Sequence, residues 1–162
     1  RFALGRFQYE LVPFRETYEK DGVSLHPGDL VINVHIPSCG PLKREEYMKS
    51  YAMAADFFRD SFKDRPIVFL CESWMLFPEH RLFLPKTSNI LGFMQDYDIF
   101  REEYNNGDLW RIFYEDYEKP ADKLPGNTGL QRAYRSWLME GHMAGMGFGV
   151  FIYDKRVTGE EL

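Results

Sequence analysis

Asp29-Leu-Val-Ile-Asn-Val-His-Ile-Pro-Ser-Cys-Gly-Pro-Leu-Lys43, with the helical run that follows to Phe62, decides how this chain folds. Leu30 to Ile36 is apolar and β-branched with little alternation, the mark of a strand covered on both faces. Pro37 to Pro41 reads as a tight turn. Beyond it Met48, Tyr51, Ala55, Phe58 and Phe62 recur at spacings of three and four, which predicts a helix from about Leu42 to Phe62. Glu45 and Glu46 fall in its first turn, where the helix dipole favours them. Pro66 stops the helix, and Ile67 to Cys71 is a second buried strand. Strand, helix and strand in that order imply a right-handed crossover and a parallel pair.

Upstream, residues 2–14 alternate loosely and read as one strand ending at Pro13. Lys20-Asp21-Gly22 and His26-Pro27-Gly28-Asp29 are turn signals on either side of a short strand, Val23 to Leu25. The three strands suggest an antiparallel meander. Downstream, Thr87-Ser88 can cap a short helix over Asn89 to Gln95. Asn105-Asn106-Gly107-Asp108 predicts a hairpin joining strands Tyr97–Tyr104 and Leu109–Asp116, with Trp110, Ile112 and Tyr114 on one face. Thr128 and Gln131 form a capping box for a helix that Gly141 ends. The last strand is expected over Phe148 to Tyr153, after Gly145 and Gly147. The sum is an α/β (α+β) chain: one domain over residues 1–162, a mixed sheet with helices on both faces.

With 162 residues the chain can bury a proper core, and its aromatic content of 17% favours one. A net charge of −5 argues against nucleic acid as a partner. No apolar run is long enough to cross a bilayer, so no membrane partner is expected. Cys39 and Cys71 form no CxxC pair and no secretory segment is visible, which points to a reducing, cytoplasmic setting. His26, His35, His80 and His142 have no metal-ligand spacing, so no metal is expected. The chain begins at Arg1 rather than Met, and it reads as a piece of a longer protein.

Three features carry chemistry. The turn Pro37-Ser38-Cys39-Gly40-Pro41 aims backbone N–H groups and a helix N-terminus at one point, which suits a diphosphate. His35 ends one strand and Glu72-Ser73 follow the other, so a parallel pair brings them to the sheet edge where ligands bind. There a Glu or a His can take a proton from an attacking amine. Cys39 at a helix N-terminus beside His35 also allows a nucleophilic thiolate, as in a cysteine hydrolase.

Several segments, met in order, are similar to a known family: Leu4-Gly5-Arg6-Phe7-Gln8-Tyr9, Val34-His35-Ile36-Pro37, Cys71-Glu72-Ser73-Trp74-Met75-Leu76 and Thr87-Ser88-Asn89-Ile90-Leu91. Leu124-Pro125, Thr128, Leu130-Gln131-Arg132-Ala133 and Gly141 extend the likeness over nearly the whole chain. They resemble the GNAT-like C-terminal domain of a bacterial acyltransferase-domain family within the acetyltransferase superfamily. The resemblance implies an N-acyltransferase that moves an acyl group from acetyl-CoA or another acyl-CoA to an amine. It places Val34 and Ile36 beside the pantetheine and Ser38, Cys39 and Gly40 at the diphosphate; Ser73, after the second strand, and Asn89, at a helix start, are further candidate cofactor contacts. Glu72 or His35 would take the amine proton, and Tyr97 or Tyr114 would protonate the leaving thiolate. The first strand and helices of the superfamily fold would lie upstream, in an N-terminal domain of the same protein. The turn departs from the superfamily's Arg/Gln-x-x-Gly-x-Gly/Ala pattern, with one glycine, no arginine and an added proline. That departure keeps open a second reading, a non-catalytic ligand-sensing or interaction domain.

Overall fold

The computed structural model of the chain describes residues 1–153. Its centre is the strand–helix–strand unit. Strand β5 (Leu30–His35) leads to helix α1 (Arg44–Phe57), and β6 (Val68–Ser73) returns parallel to β5. The other strands are β1 (Phe2–Leu4), β2 (Phe7–Pro13), β3 (Tyr18–Lys20), β4 (Val23–Leu25), β7 (Asp98–Tyr104) and β8 (Gly145–Ile152). Six of them form one mixed sheet in the order β1-β2-β5-β6-β8-β7.

Period-two alternation assigns the faces. Tyr9, Ile32, Phe69 and Phe151 join the main core with Tyr47, Tyr51, Ala54 and Ala55 of α1. Val31, Val68, Leu70 and Val150 point the other way, into a smaller cluster with Phe14, Tyr18 and Leu25. The mixed α/β sheet is as read from the sequence. Its second face is covered differently: among the described residues no helix contributes to the smaller cluster, and the β3–β4 hairpin covers it instead. That hairpin is a separate two-stranded sheet, so β2 pairs directly with β5 and there is no meander.

Residues 2–14 are a hairpin rather than one strand. Gly5, at φ +71°, turns the chain, and Ser50 of α1 holds the turn. Its Oγ donates to the Leu4 carbonyl (2.5 Å) and accepts from the Phe7 amide (3.1 Å). The Tyr9 hydroxyl lies 2.6 Å from the same oxygen.

Helix α1 ends at Phe57, and a 3-10 turn, Arg59–Phe62, completes the expected apolar stripe. Pro41 lies before the helix rather than in its first turn. Short helices α2 (His80–Phe83) and α3 (Asn89–Met94) follow β6, and Ser88 caps α3 by accepting from the Ile90 amide (3.2 Å).

The expected 97–116 hairpin is half right. Its first strand is β7, but Trp110–Phe113 is a helical turn, α4. Ile112 is buried while Trp110 and Tyr114 are exposed, so the three share no face. The true partner of β7 is β8, which arrives after helix α5 (Gly129–Met139). Thr128 caps α5 as expected, and its Oγ1 accepts from the Gln131 amide (3.1 Å).

Candidate active site

Strands β5 and β6 are parallel neighbours at the centre of the sheet. Their ladder pairs only Ile32 with Phe69 and Asn33 with Leu70. Beyond that point β5 stays with β2, pairing Val34 with Tyr9 and His35 with Gln8. Meanwhile β6 stays with β8, pairing Cys71 with Gly149 and Ser73 with Gly147. Each strand is held by its outer neighbour and released by its inner one. The tips therefore part and leave a wedge with strand edges on both sides.

The wedge opens into a cleft of about 980 Å³. Val34 and Ile36 form its wall on the β5 side, and Glu72, Ser73, Trp74 and Met75 form the opposite wall. Ser38 and Gly40 line the end at the turn, and Ser88 and Asn89 the end at α3. Trp74 does not plug the slot. It is buried against His80 and Tyr134, with ring centroids 6.0 and 6.4 Å away. Phe69 is fully buried below the wedge.

Three glycines of β8 make this wall possible. After Ser73 the chain turns through a 3-10 turn, Trp74–Leu76, which lies directly on β8. A Cβ on Gly147 would stand 2.0 Å from the Leu76 carbonyl oxygen, and one on Gly149 2.9 Å from a Leu76 methyl. A Cβ on Gly145 would meet the Phe77 ring at 2.5 Å. Ser73 fixes the start of the turn, its Oγ accepting from the Met75 amide (3.1 Å).

Alternation puts His35 and Glu72 on one face of the sheet and Val34 and Ser73 on the other. The two candidate bases differ in their surroundings. The His35 Nε2–H donates to Glu10 (2.9 Å), and the Asn33 amide stands 3.2 Å from the same nitrogen. That hydrogen bond from His35 lowers the Glu10 carboxyl below its ordinary value. The Glu72 side chain is exposed at the cleft and, among the described residues, makes no hydrogen bond or ion pair.

The two candidate acids separate. Tyr97 is buried, and its hydroxyl lies 2.9 Å from that of Tyr51. Burial pushes its pKa well above the usual phenol value, so Tyr97 is a core residue and does not reach the cleft. Tyr114 does line the cleft, exposed and with a backbone at φ +55°, an outlying conformation for a residue with a side chain.

Cys39 is exposed, is not among the lining residues, and has no histidine within hydrogen-bond reach. The thiol therefore lacks the base a cysteine hydrolase needs. Cys71 is buried beneath the sheet, and burial raises its thiol pKa far above the ordinary range. No group of three or more metal-binding side chains occurs among the described residues. No helix among them is long and apolar enough to cross a membrane.

One residue at the cleft was not anticipated. Arg6, from the β1–β2 turn, donates to the carbonyls of Pro37 and Gly40, both at 2.9 Å. The signal for it was the Gly5-Arg6 interruption in an otherwise alternating stretch, which marks a turn. Where that turn would land was not readable.

The comparisons with known proteins bear on the fold. The family model described as GNAT-like C-terminal domain matches residues 2–151. Among solved structures, an acyltransferase in complex with decanoyl-CoA and teicoplanin is similar at 24% identity and TM-score 0.75, over 94% of this chain and 46% of its own. An acyltransferase with CoA and 10C-teicoplanin, and a mutant acyltransferase with octanoyl-CoA, match at 23% identity, TM-score 0.75 and the same coverage. This chain thus spans less than half the length of those structures. No curated protein matches it.

Proposed function

The chain belongs to the GNAT-like C-terminal domain family, and from that premise we propose that it holds the acyl donor of an acyl-CoA-dependent N-acyltransferase. The observation that carries this reading is the parting of β5 and β6. A pantetheine arm is a thin chain of two amides. It fits between two strand edges and bonds to backbone groups that a continuous ladder would use up. The solved relatives of this fold hold CoA, decanoyl-CoA or octanoyl-CoA, which supports acyl-CoA as the donor class.

In this reading Val34 and Ile36 run beside the pantetheine, and Ser38 and Gly40 stand toward the diphosphate. Ser73 and Asn89 lie on the opposite wall and at the far end. The thioester carbonyl sits between the strand tips. Glu72 takes the proton as the amine nitrogen attacks that carbon, because it faces the cleft without a partner. His35 is occupied by Glu10 and supports the position of the neighbouring edge. Tyr114 gives a proton to the departing CoA thiolate. The C–N bond forms, the C–S bond breaks, and the two protons are accounted for by base and acid.

A second reading has its own observation. The turn has one glycine and two prolines, and Glu45 and Glu46 crowd the helix start, so the alternative is a non-catalytic ligand-sensing or interaction domain of the same fold. Calorimetry of the full protein with CoA tests the donor site: saturable heat is expected, and none near 1 mM would count against the acyl-transfer reading. Turnover in Glu72→Gln separates them. A fall in kcat of about 10²- to 10⁴-fold with CoA affinity kept is expected of a base. Unchanged turnover removes the assignment, and no turnover in any form, with binding intact, favours sensing.

A further inference from the structure

The turn at Pro37–Pro41 is, by its own residues, a poor phosphate site. Pro41 has no N–H, the Lys43 side chain makes no cap, and Glu45 and Glu46 place two carboxylates in the first turn of α1. Lys43 and Arg44 precede those carboxylates, but Arg44 is paired with Asp96, so the helix start has no net positive charge to offset a diphosphate.

Arg6 is placed for that. It is only 9% exposed, yet no carboxylate pairs with it among the described residues. Two of its N–H groups hold the Pro37 and Gly40 carbonyls, and its Nε is buried with no acceptor. A buried guanidinium is expensive unless a counter-charge is near. The hairpin that delivers it is nevertheless fixed, by the left-handed Gly5 and by the three Ser50 contacts. The guanidinium borders the cleft at the turn. The second N–H on each terminal nitrogen is left for phosphate oxygens.

We propose that Arg6, reaching across from the β1–β2 turn, supplies the positive charge that receives the diphosphate of the acyl donor, while bracing the turn on which that diphosphate rests. The inference rests on the acyl-CoA reading above. It assigns to this chain the arginine that the turn itself lacks, brought in from a different strand pair.

The test measures the affinity of the full protein for CoA, 3′-dephospho-CoA and pantetheine, in the natural form and in Arg6→Gln and Arg6→Lys. Pantetheine has the thiol arm without any phosphate, and dephospho-CoA keeps the diphosphate alone. In Arg6→Gln, CoA and dephospho-CoA should each weaken by about tenfold to a hundredfold, the range for charge-assisted hydrogen bonds. Pantetheine should stay within about twofold. Arg6→Lys keeps the charge and should recover part of the loss, so it decides the matter if Arg6→Gln does not fold. Equal weakening of all three ligands would make Arg6 a brace only and overturn the proposal. So would no weakening at all, or weakening of CoA alone, which would assign the charge to the 3′-phosphate. A natural protein that binds none of the three would overturn the acyl-CoA reading itself, an outcome distinct from normal binding that ignores Arg6.

Discussion

Glu72 and His35 show how little a residue's type says until its neighbours are known. Both were legible as candidates because each follows an apolar strand, and the parallel pairing does bring both to one edge. Their ranking was not legible. It depends on Glu10, which lies on β2 opposite Asn33 and reaches His35 only through pairing distant in sequence. The same applies to His80, which the sequence leaves as one histidine among four. It is fully buried among Trp74, Phe77, Phe83 and Tyr134, and its Nε2 is hydrogen-bonded to the Tyr134 hydroxyl. Burial lowers its pKa from 6.5 to about 4, with the Met75 backbone pulling the other way. The unfolded chain therefore binds a proton near pH 6.5 that the folded chain refuses. Stability from this group is complete above pH 6.5 and falls as pH drops toward 4, by on the order of 3 kcal/mol in all. Denaturant unfolding at pH 7.5 and 4.5 should show this as a slope that His80→Gln largely removes. An identical slope in the variant would show that other groups cause it.

At the scale of elements, the central unit was readable because its signals are local and agree with one another. A largely apolar strand, an amphipathic stripe and a second apolar strand leave one topology. The failures came where a local signal had a distant partner. Asn105-Asn106-Gly107 does make a turn, the Asn105 Oδ1 accepting from the Gly107 amide at 3.0 Å. Yet Asn106 Oδ1 accepts from the Ala144 amide, and the Asn105 amide donates to the Ala144 carbonyl, both at 3.0 Å. The turn is thus bonded to the start of β8, and β8 takes the edge that residues 109–116 would have taken. The glycines before Phe148 were visible as points of close approach, but what approaches them, the Trp74–Leu76 turn, was not. Gly147→Ala should cost about 1–3 kcal/mol, the range for overpacking, and should weaken CoA binding by shifting Trp74 and Met75. Urea unfolding together with a CoA titration checks both parts. Unchanged stability would mean that the turn does not lie on β8 as described.

Across the whole molecule the sheet is arranged so that the wedge is a consequence of pairing and not of a loop. Two antiparallel pairs, β2–β5 and β6–β8, meet along one short parallel seam of two residue pairs. Each pair twists with its own partner, and the seam opens where neither needs the other. Aromatic packing beneath the seam, Tyr9 against Phe69 and Tyr51 against Phe69 and Phe151, keeps the closed end closed. The β5–β6 ladder stops below the mouth of this wedge, which leaves room for an extended amide chain between the strand tips. Hydrogen exchange followed by mass spectrometry, with and without saturating CoA, reads the backbone groups of those tips directly. Slowed exchange confined to residues 34–40 and 72–75, with the β3–β4 hairpin unchanged, is the expected result; bound CoA that leaves both segments exchanging as before would contradict the account.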